Sequence, residues 1–432
     1  MARARAPRGS VGRRATHAPA ASAPPVQGAV LWLSVEVPDL FGQGGQRRQY
    51  HQIAALRELG RRIVVVSPAG PQDDSSIAAL TEVVRPRLHL KGKAVPGAAR
   101  RLARLVRSPR WEAIVLSHQD SVWLLPEGVG APVLLDVHNA MSAWLLSRGL
   151  PEQAAQHRRL EERAIARADG VSTCSDTERI RLIEQHPDAA SRTFIAPLGI
   201  DPEEWPEREY SRSAPLVALF GGWGWEPNRR GLDWFLGEVW PRLAALAPDA
   251  QCRIAGTGLD AAVALPSGVE FVGKVPSLVD FTAEATVVAV PVIDGVGAAM
   301  KFAEALATGA AVIATPDAAS AFPSSLAQVS ADPEAWAGWI AERLARRDAD
   351  PTPAPERAQV LAERTWAECV APIEDWLRTH ARAVRGEEPG AVPGSASAST
   401  PDGRSVSPAP GAQPGSVPGG GHAVPAAEQE TA

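Results

Sequence analysis

The stretch PVIDGVGAAMKFAEALATGAAVIATPDAAS, residues 291–320, holds a strand end, a loop, a helix and a second strand within thirty residues. The apolar run that leads into it, ATVVAVPV at 285–292, is continuous rather than alternating, as expected of a strand covered by helices on both faces. The loop DGVG at 294–297 follows, then apolar residues spaced at three and four predict a helix, and AAVIAT at 310–315 supplies the next strand. Such a loop frees the backbone to approach an anion, and the N–H groups at the helix start favour phosphate by geometry and dipole. Lys301 and Glu304 stand at i and i+3, on one face near that terminus. A lysine can neutralise a diphosphate and a glutamate can accept hydrogen bonds from vicinal hydroxyls. Spacing alone describes a solvated surface pair just as well.

The same alternation extends outward in both directions. Upstream, PLVALFGG (215–222), AQCRIAG (250–256) and VEFVG (269–273) read as strands between helices. Before the polar stretch DPEEWPEREYSRSA lies another set: VLWLSV (30–35), RIVVVSP (62–68), EAIVLSH (112–118), PVLLDVH (132–138), GVSTCS (170–175) and RTFIAP (192–197). GGQRRQYHQIAALRELG and PEQAAQHRRLEERAIARAD read as helices among them. The pattern predicts an α/β chain of two Rossmann-like domains facing across a cleft, 28–205 and 213–367, with a helix at 368–385 crossing back to the first. The low-complexity ends, 1–27 and 386–432, are expected to be disordered tails, because they lack the apolar surface to offset ordering entropy.

Composition narrows the function. Of 44 basic residues only four are lysines, Lys91, Lys93, Lys274 and Lys301, so a lysine beside a candidate site carries some information. The net charge is −5; residues 1–28 hold five arginines and no acid, while the segment between the tails is acidic on balance, which argues against nucleic acid as a partner. Three scattered cysteines suit neither a disulfide framework nor a metal cluster and fit a reducing, cytoplasmic setting. No apolar run is long enough for a membrane span, and the Arg-rich start is not followed by the apolar region of a secretory signal.

The segment 291–320 resembles the hallmark region of the group 1, or family 4, glycosyltransferases (the GT-B double Rossmann fold): proline, loop glycines, Lys, Glu-Ala-Leu-Ala, Gly and Val-Ile-Ala-Thr follow in order. LFGGWGWEPNRRGLDWFLGEVWPRLAALAPDAQCRIAGTG (219–258) and VEFVGKVPSLVDFTAEATVVAVPV (269–292) are similar to the opening and middle of that family's donor-binding domain. FGQGGQRRQYHQIAALRELG, EAIVLSHQD and LLDVHNAMSAWLLSRG resemble parts of its acceptor domain more loosely.

The resemblance implies a site. Glu304 is expected to bind the ribose of a nucleotide-sugar donor; Lys301 and Arg230 are expected to face its diphosphate, with Gly222, Gly297 and the N–H groups of Ala298, Ala299 and Met300. A loop at Gly44 and Gly45 is expected to close from the other domain, and His118 to sit beside the transferred sugar. His118, Lys301 and Glu304 form the expected catalytic set. Arg47, His138 and Asn139 are placed on the acceptor side, Arg47 and Arg48 reading equally as solvated helix residues. One departure stands out: where many members carry a first glutamate, eight residues before the second, this chain has Val296.

The implied reaction is retaining transfer to an acceptor hydroxyl, the leaving phosphate taking the acceptor proton, without cofactor or metal. The resemblance implies cell-envelope polysaccharide, glycolipid or small-molecule glycoside synthesis, so that a lipid-linked or polysaccharide acceptor and peripheral contact at the inner membrane face are among the expected partners beyond the donor. A catalytically silent binding subunit, a nucleotide-sugar epimerase and a phosphorylase are the rival readings.

Overall fold

A computed structural model describes residues 28–68, 76–86, 88–90, 93–206, 214–260, 264–322, 324–346, 360 and 362–381. Both expected tails, and residues 207–213 of the linker, lie outside these.

Two parallel sheets form the core. The first contains β1 (Ala29–Ser34), β2 (Arg62–Val66), β3 (Glu82–Val84), β6 (Trp111–Ser117), β7 (Val133–Val137), β8 (Gly170–Thr173) and β9 (Thr193–Ile195), in the order β3-β2-β1-β6-β7-β8-β9; a small antiparallel hairpin, β4 (His89–Leu90) and β5 (Lys93–Ala94), follows β3. The second contains β10 (Leu216–Gly222), β11 (Gln251–Thr257), β12 (Val269–Gly273), β13 (Val287–Val290), β14 (Ala311–Ala314) and β15 (Gln328–Val329), in the order β12-β11-β10-β13-β14-β15. Every residue of β1, β6, β7, β8 and β13 is buried, which is why these strands read as unbroken apolar runs. The edge strands β3 and β15 are short and partly exposed, and they escaped the reading of the sequence.

In each sheet the strand order reverses beside the first strand, β1 next to β6 and β10 next to β13. A crevice opens at the carboxyl ends of such a pair, and ligands of open α/β sheets bind there. Residues after Ser34, Ser117, Gly222 and Val290 therefore command the site.

The first helix runs Gly44–Glu58, so Gly44 and Gly45 form its first turn rather than the expected loop. Gln46 explains the early start: its side-chain oxygen accepts from the Gln43 N–H (3.1 Å) and its amide donates to the Val37 carbonyl (3.0 Å). The last helix, Trp366–His380, packs on the first sheet's layers. Trp376 and Trp366 lie on Gly170 and Gly199, where an added Cβ would come within 2.2 and 2.8 Å of the indoles. Arg61 donates to both Glu374 oxygens (2.8 and 2.7 Å) and to Glu112 (3.0 Å).

Candidate active site

On the second sheet, glycines let backbone segments meet at the strand ends. A Cβ on Gly256 would stand 1.8 Å from the Gly221 carbonyl oxygen, and one on Gly231 would stand 2.2 Å from that of Pro291. The helix Glu226–Trp234 is thus pressed onto the end of β13, and its Asn228 donates to the Gly222 carbonyl (2.9 Å) while its own side-chain oxygen is buried without a partner. Gly222 has open space about it.

The helix Met300–Ala307 carries Lys301 and Glu304 into this corner. Neither is solvated. The Lys301 ammonium is buried, has no hydrogen-bond partner, and lies 5.5 Å from the centre of the Trp223 ring. Burial pushes its pKa down to about 7, against the opposing charge of Glu304. Glu304, 4% exposed, is paired with Arg47 of the first helix. Ala299 caps the helix and Met300 opens it, but the Ala298 N–H faces the buried Cys174 sulfur. Gly297 takes a positive φ of 77°, and a Cβ there would come within 2.9 Å of the His138 carbonyl. Arg230 pairs with Asp294 at the exposed rim, where Asp294 itself has φ 55°.

On the first sheet, β6 ends at Ser117 and the next residue, His118, has a φ of 65°. Its Nδ1 lies 3.2 Å from Asp120, its Nε2 is 3.1 Å from the Asn139 side-chain oxygen, and its ring centre is 5.2 Å from that of His138. Burial acts to lower the His118 pKa, but Asp120, Asn139 and the charge of Glu36 together raise it. His138 goes the other way, down to about 4, because its burial outweighs the attraction of Asp136. Fully buried Asp136 is gripped by Arg48 at 2.9 and 3.2 Å and by the Ser172 hydroxyl at 2.7 Å; the arginine's charge holds that carboxyl well below the usual carboxylate range despite burial. Arg48 also donates to the Ala196 carbonyl (2.8 Å), and at 2% exposure it is not a solvated helix residue. Glu178 and Glu161 accept from the Ala140 and Ser142 N–H groups (2.7 and 3.0 Å), which fixes the loop bearing His138 and Asn139.

Residues 214–345 match the family described as glycosyl transferases group 1, and residues 43–198 match the glycosyl transferase 4-like domain. The chain belongs to the group 1 glycosyltransferases. Its fold is similar to that of Anabaena HepE in complex with UDP-glucose, at TM-score 0.62 and 14% identity over 82% of this chain and 100% of that one. Sucrose-phosphate synthase from Thermosynechococcus elongatus matches at TM-score 0.62 and 17% identity over 82% and 98% of the two chains. A glycosyltransferase from Rickettsia africae matches at TM-score 0.59 and 12% identity over 82% and 98%. A search of curated protein sequences finds no significant match.

The two halves of this glycosyltransferase touch directly at the site. The Trp144 indole N–H donates to the Asp294 carbonyl (2.6 Å), Arg148 donates to both oxygens of Glu226 (2.8 and 2.6 Å), and Thr177 donates to the Ser320 carbonyl (3.2 Å). Val296, at the position of the missing first glutamate, is buried among Trp144, Leu145 and Ala154 of the first half. Lys301, Glu304 and Gly222 come together on one wall, and His118, His138 and Asn139 on the other. Arg47 is not among the latter three: it reaches across to Glu304. Asp120, Asp136, Trp223 and Glu204 are further neighbours of the site, and no motif or spacing pointed to them. His51, Asp201 and Glu204 are the one trio of metal-ligating side chains within mutual reach among the described residues, and they sit on the first helix and the linker rather than on the helix of Lys301.

Proposed function

We propose that the glycosyltransferase moves a sugar from a nucleoside diphosphate sugar to an acceptor hydroxyl with retention of configuration. The buried ammonium of Lys301, without a hydrogen-bond partner and one turn from the buried carboxylate of Glu304, carries the reading. A cation held out of water with its hydrogen bonds unmade is costly unless an anion arrives to use it. A diphosphate supplies that anion, and the adjoining ribose presents its hydroxyls to Glu304. As negative charge develops on the departing diphosphate, a fixed cation stabilises it; losing one such interaction costs about 10²- to 10³-fold in rate. Arg230 at the rim would add a second positive charge once released from Asp294, and no metal or cofactor is required for these roles. His118, hydrogen-bonded to Asn139 and Asp120 on the facing wall, is oriented for contact with the transferred sugar, and the leaving phosphate would take the acceptor proton.

UDP-sugars are the first donors to test, since similar folds include HepE in complex with UDP-glucose. Thermal melts against UDP-, GDP-, ADP-, dTDP- and CDP-sugars, with Glu304→Ala as control, test the assignment. One nucleotide class raising the melting temperature only with Glu304 present supports it; no shift at millimolar donor favours a silent binding subunit. Turnover that survives EDTA would support the metal-free reading, and its loss would end it.

The acceptor is a cell-envelope polysaccharide or lipid-linked glycan in this reading, met at the inner membrane face by a cytoplasmic protein. Residues 85–111 hold nine basic side chains and no acid. Arg100, Arg101 and Arg104 lie on the exposed side of the helix Ala98–Val106, whose Ala98, Leu102 and Val106 are buried, and exposed Arg107 caps its end. No helix among the described residues is long and apolar enough to cross a membrane, so contact through this face would be peripheral.

A further inference from the structure

We infer that Arg47 is a gate on the donor site, a cation that occupies Glu304 until the hydroxyls of a nucleoside claim it, and that then passes to Glu204. The inference rests on the reading of Glu304 as the ribose-binding carboxylate.

Arg47 and Glu304 belong to different halves, 257 residues apart, yet their side chains are paired with 20% and 6% exposure. Arg47 holds one oxygen of this enclosed carboxylate, Oε1, and a vicinal diol, whose two hydroxyls use both oxygens, meets the guanidinium there. Any nucleoside that uses Glu304 must therefore displace Arg47, and its affinity is reduced by what the pair is worth.

The displaced guanidinium has somewhere to go. Its Nη2 lies 3.9 Å from Glu204 Oε2, beyond hydrogen-bond length but near enough that a shift of about 1 Å makes a charge-assisted bond. Glu204 is short of positive charge where it stands: burial, Asp201 and Glu304 raise its carboxyl pKa, and the distant Arg47 only partly offsets them. Arg47 itself is incompletely satisfied in its present position, since its Nε is buried without an acceptor. One cation thus stands between two carboxylates, bonded to one and able to reach the other.

The second carboxylate is on the linker. Glu204 ends the turn Pro202–Glu204, and its other oxygen lies 3.8 Å from His51 of the first helix. Transfer of Arg47 therefore exchanges a tie between the two halves for a tie between the first helix and the linker. Donor arrival would be registered at the segment that joins the halves.

The test is calorimetric titration with UDP, and in the same way GDP, ADP, dTDP and CDP, of the full chain and of Arg47→Ala, Glu204→Gln and the double variant. Arg47→Ala is expected to tighten nucleotide binding about tenfold, the worth of a charge-assisted bond. Glu204→Gln is expected to weaken it, because the displaced cation loses its alternative, and the double variant should bind like Arg47→Ala. A purely structural role for either residue would not give opposite signs that merge in the double variant. Weaker or unchanged binding by Arg47→Ala overturns the gate and makes Arg47 a donor contact or a bystander. A Glu204→Gln effect that persists in the Arg47→Ala background overturns the transfer step. Glu304→Ala separates the two claims: if it binds nucleotide as well as the native chain, the ribose assignment fails, whatever Arg47 does. If no nucleotide binds any folded variant, assignment and gate fall together.

Discussion

The ammonium of Lys301 lies 5.5 Å from the centre of the Trp223 indole and meets no hydrogen-bond acceptor. Attraction to the ring face recovers only part of the hydration that burial removes. Removing the charge should therefore help the fold and harm the function. Lys301→Met is expected to melt a few degrees above the native chain without ligand, yet to show no thermal shift with the donor that stabilises the native chain. Equal or lower stability in differential scanning calorimetry would mean that the ammonium is not strained.

The same group sets a pH dependence with two opposite faces. Because its folded pKa is lowered to about 7, the unfolded chain binds more protons than the folded one between there and about 10.4, the ordinary lysine value. The destabilisation is full below pH 7, and Lys301's contribution makes the unliganded fold more stable as pH rises through that window. Donor binding behaves inversely. In the proposed role it requires the protonated amine, so affinity for UDP-glucose, whose phosphates do not titrate there, should fall by up to about tenfold per pH unit above 7. A flat affinity profile from pH 6 to 9 would exclude an anion at Lys301.

Restoring the glutamate that many relatives carry should not restore anything here. Val296 is 9% exposed and packs with Trp144, Leu145 and Ala154 from the other half. Val296→Glu would place a carboxylate in that apolar contact at a cost of at least about 2 kcal/mol. The expected result is a lower melting temperature with turnover no higher than native; a faster enzyme of native stability would show that the position is open to the donor.

Asp136 offers a sharper stability test. Asp136→Asn keeps the shape but leaves Arg48 buried at 2% exposure without its counter-charge, and the loss should be about 3–5 kcal/mol by denaturant titration. The native carboxyl is held below its ordinary value, so its contribution is complete above about pH 4 and is lost as pH falls further. Asp136→Asn should accordingly flatten the acid limb of the stability curve. An unchanged acid limb would assign acid unfolding to other carboxylates.

The arginine face of the helix Ala98–Val106 can be tested without any substrate. Each arginine near an anionic bilayer gains about 1 kcal/mol, so reversing Arg100, Arg101 and Arg104 to glutamate should weaken co-sedimentation with phosphatidylglycerol vesicles by at least about 100-fold. These side chains are exposed, and folding should be unaffected. Equal binding by the triple variant would remove this face as the docking surface.

The frame of the molecule was legible because burial on both faces leaves nothing polar in a central strand. VLWLS in β1 and VVAV in β13 could hardly be read otherwise. The edges β3 and β15 were missed for the converse reason, being too short and too wet to leave a pattern. Lys301 and Glu304 were singled out through their neighbours in one helix and a resemblance that spans it. The pairing of Arg47 with Glu304 was not legible because its partner lies 257 residues away, and no local spacing encodes a contact made by the meeting of two sheets. Asp136 sits inside an apolar run, where a single acid gave no sign that Arg48 lay opposite. The basic run at 85–111 was in plain view, but the chain's net charge of −5 averaged it away.

The chain crosses between its halves twice, and the two crossings are stitched together. Ile200, where the linker leaves the first sheet, donates its N–H to the Arg364 carbonyl at 2.6 Å and pairs with Thr365, just as the chain returns to start its last helix. A single strand between two bodies is a ball joint, free to swivel. Two segments tied side by side act as a door hinge, which would confine any swing of the halves to one axis and resist rotation of one against the other. The wall that bears His118 would then meet the wall that bears Lys301 in one register each time the door shuts, with no search over orientations.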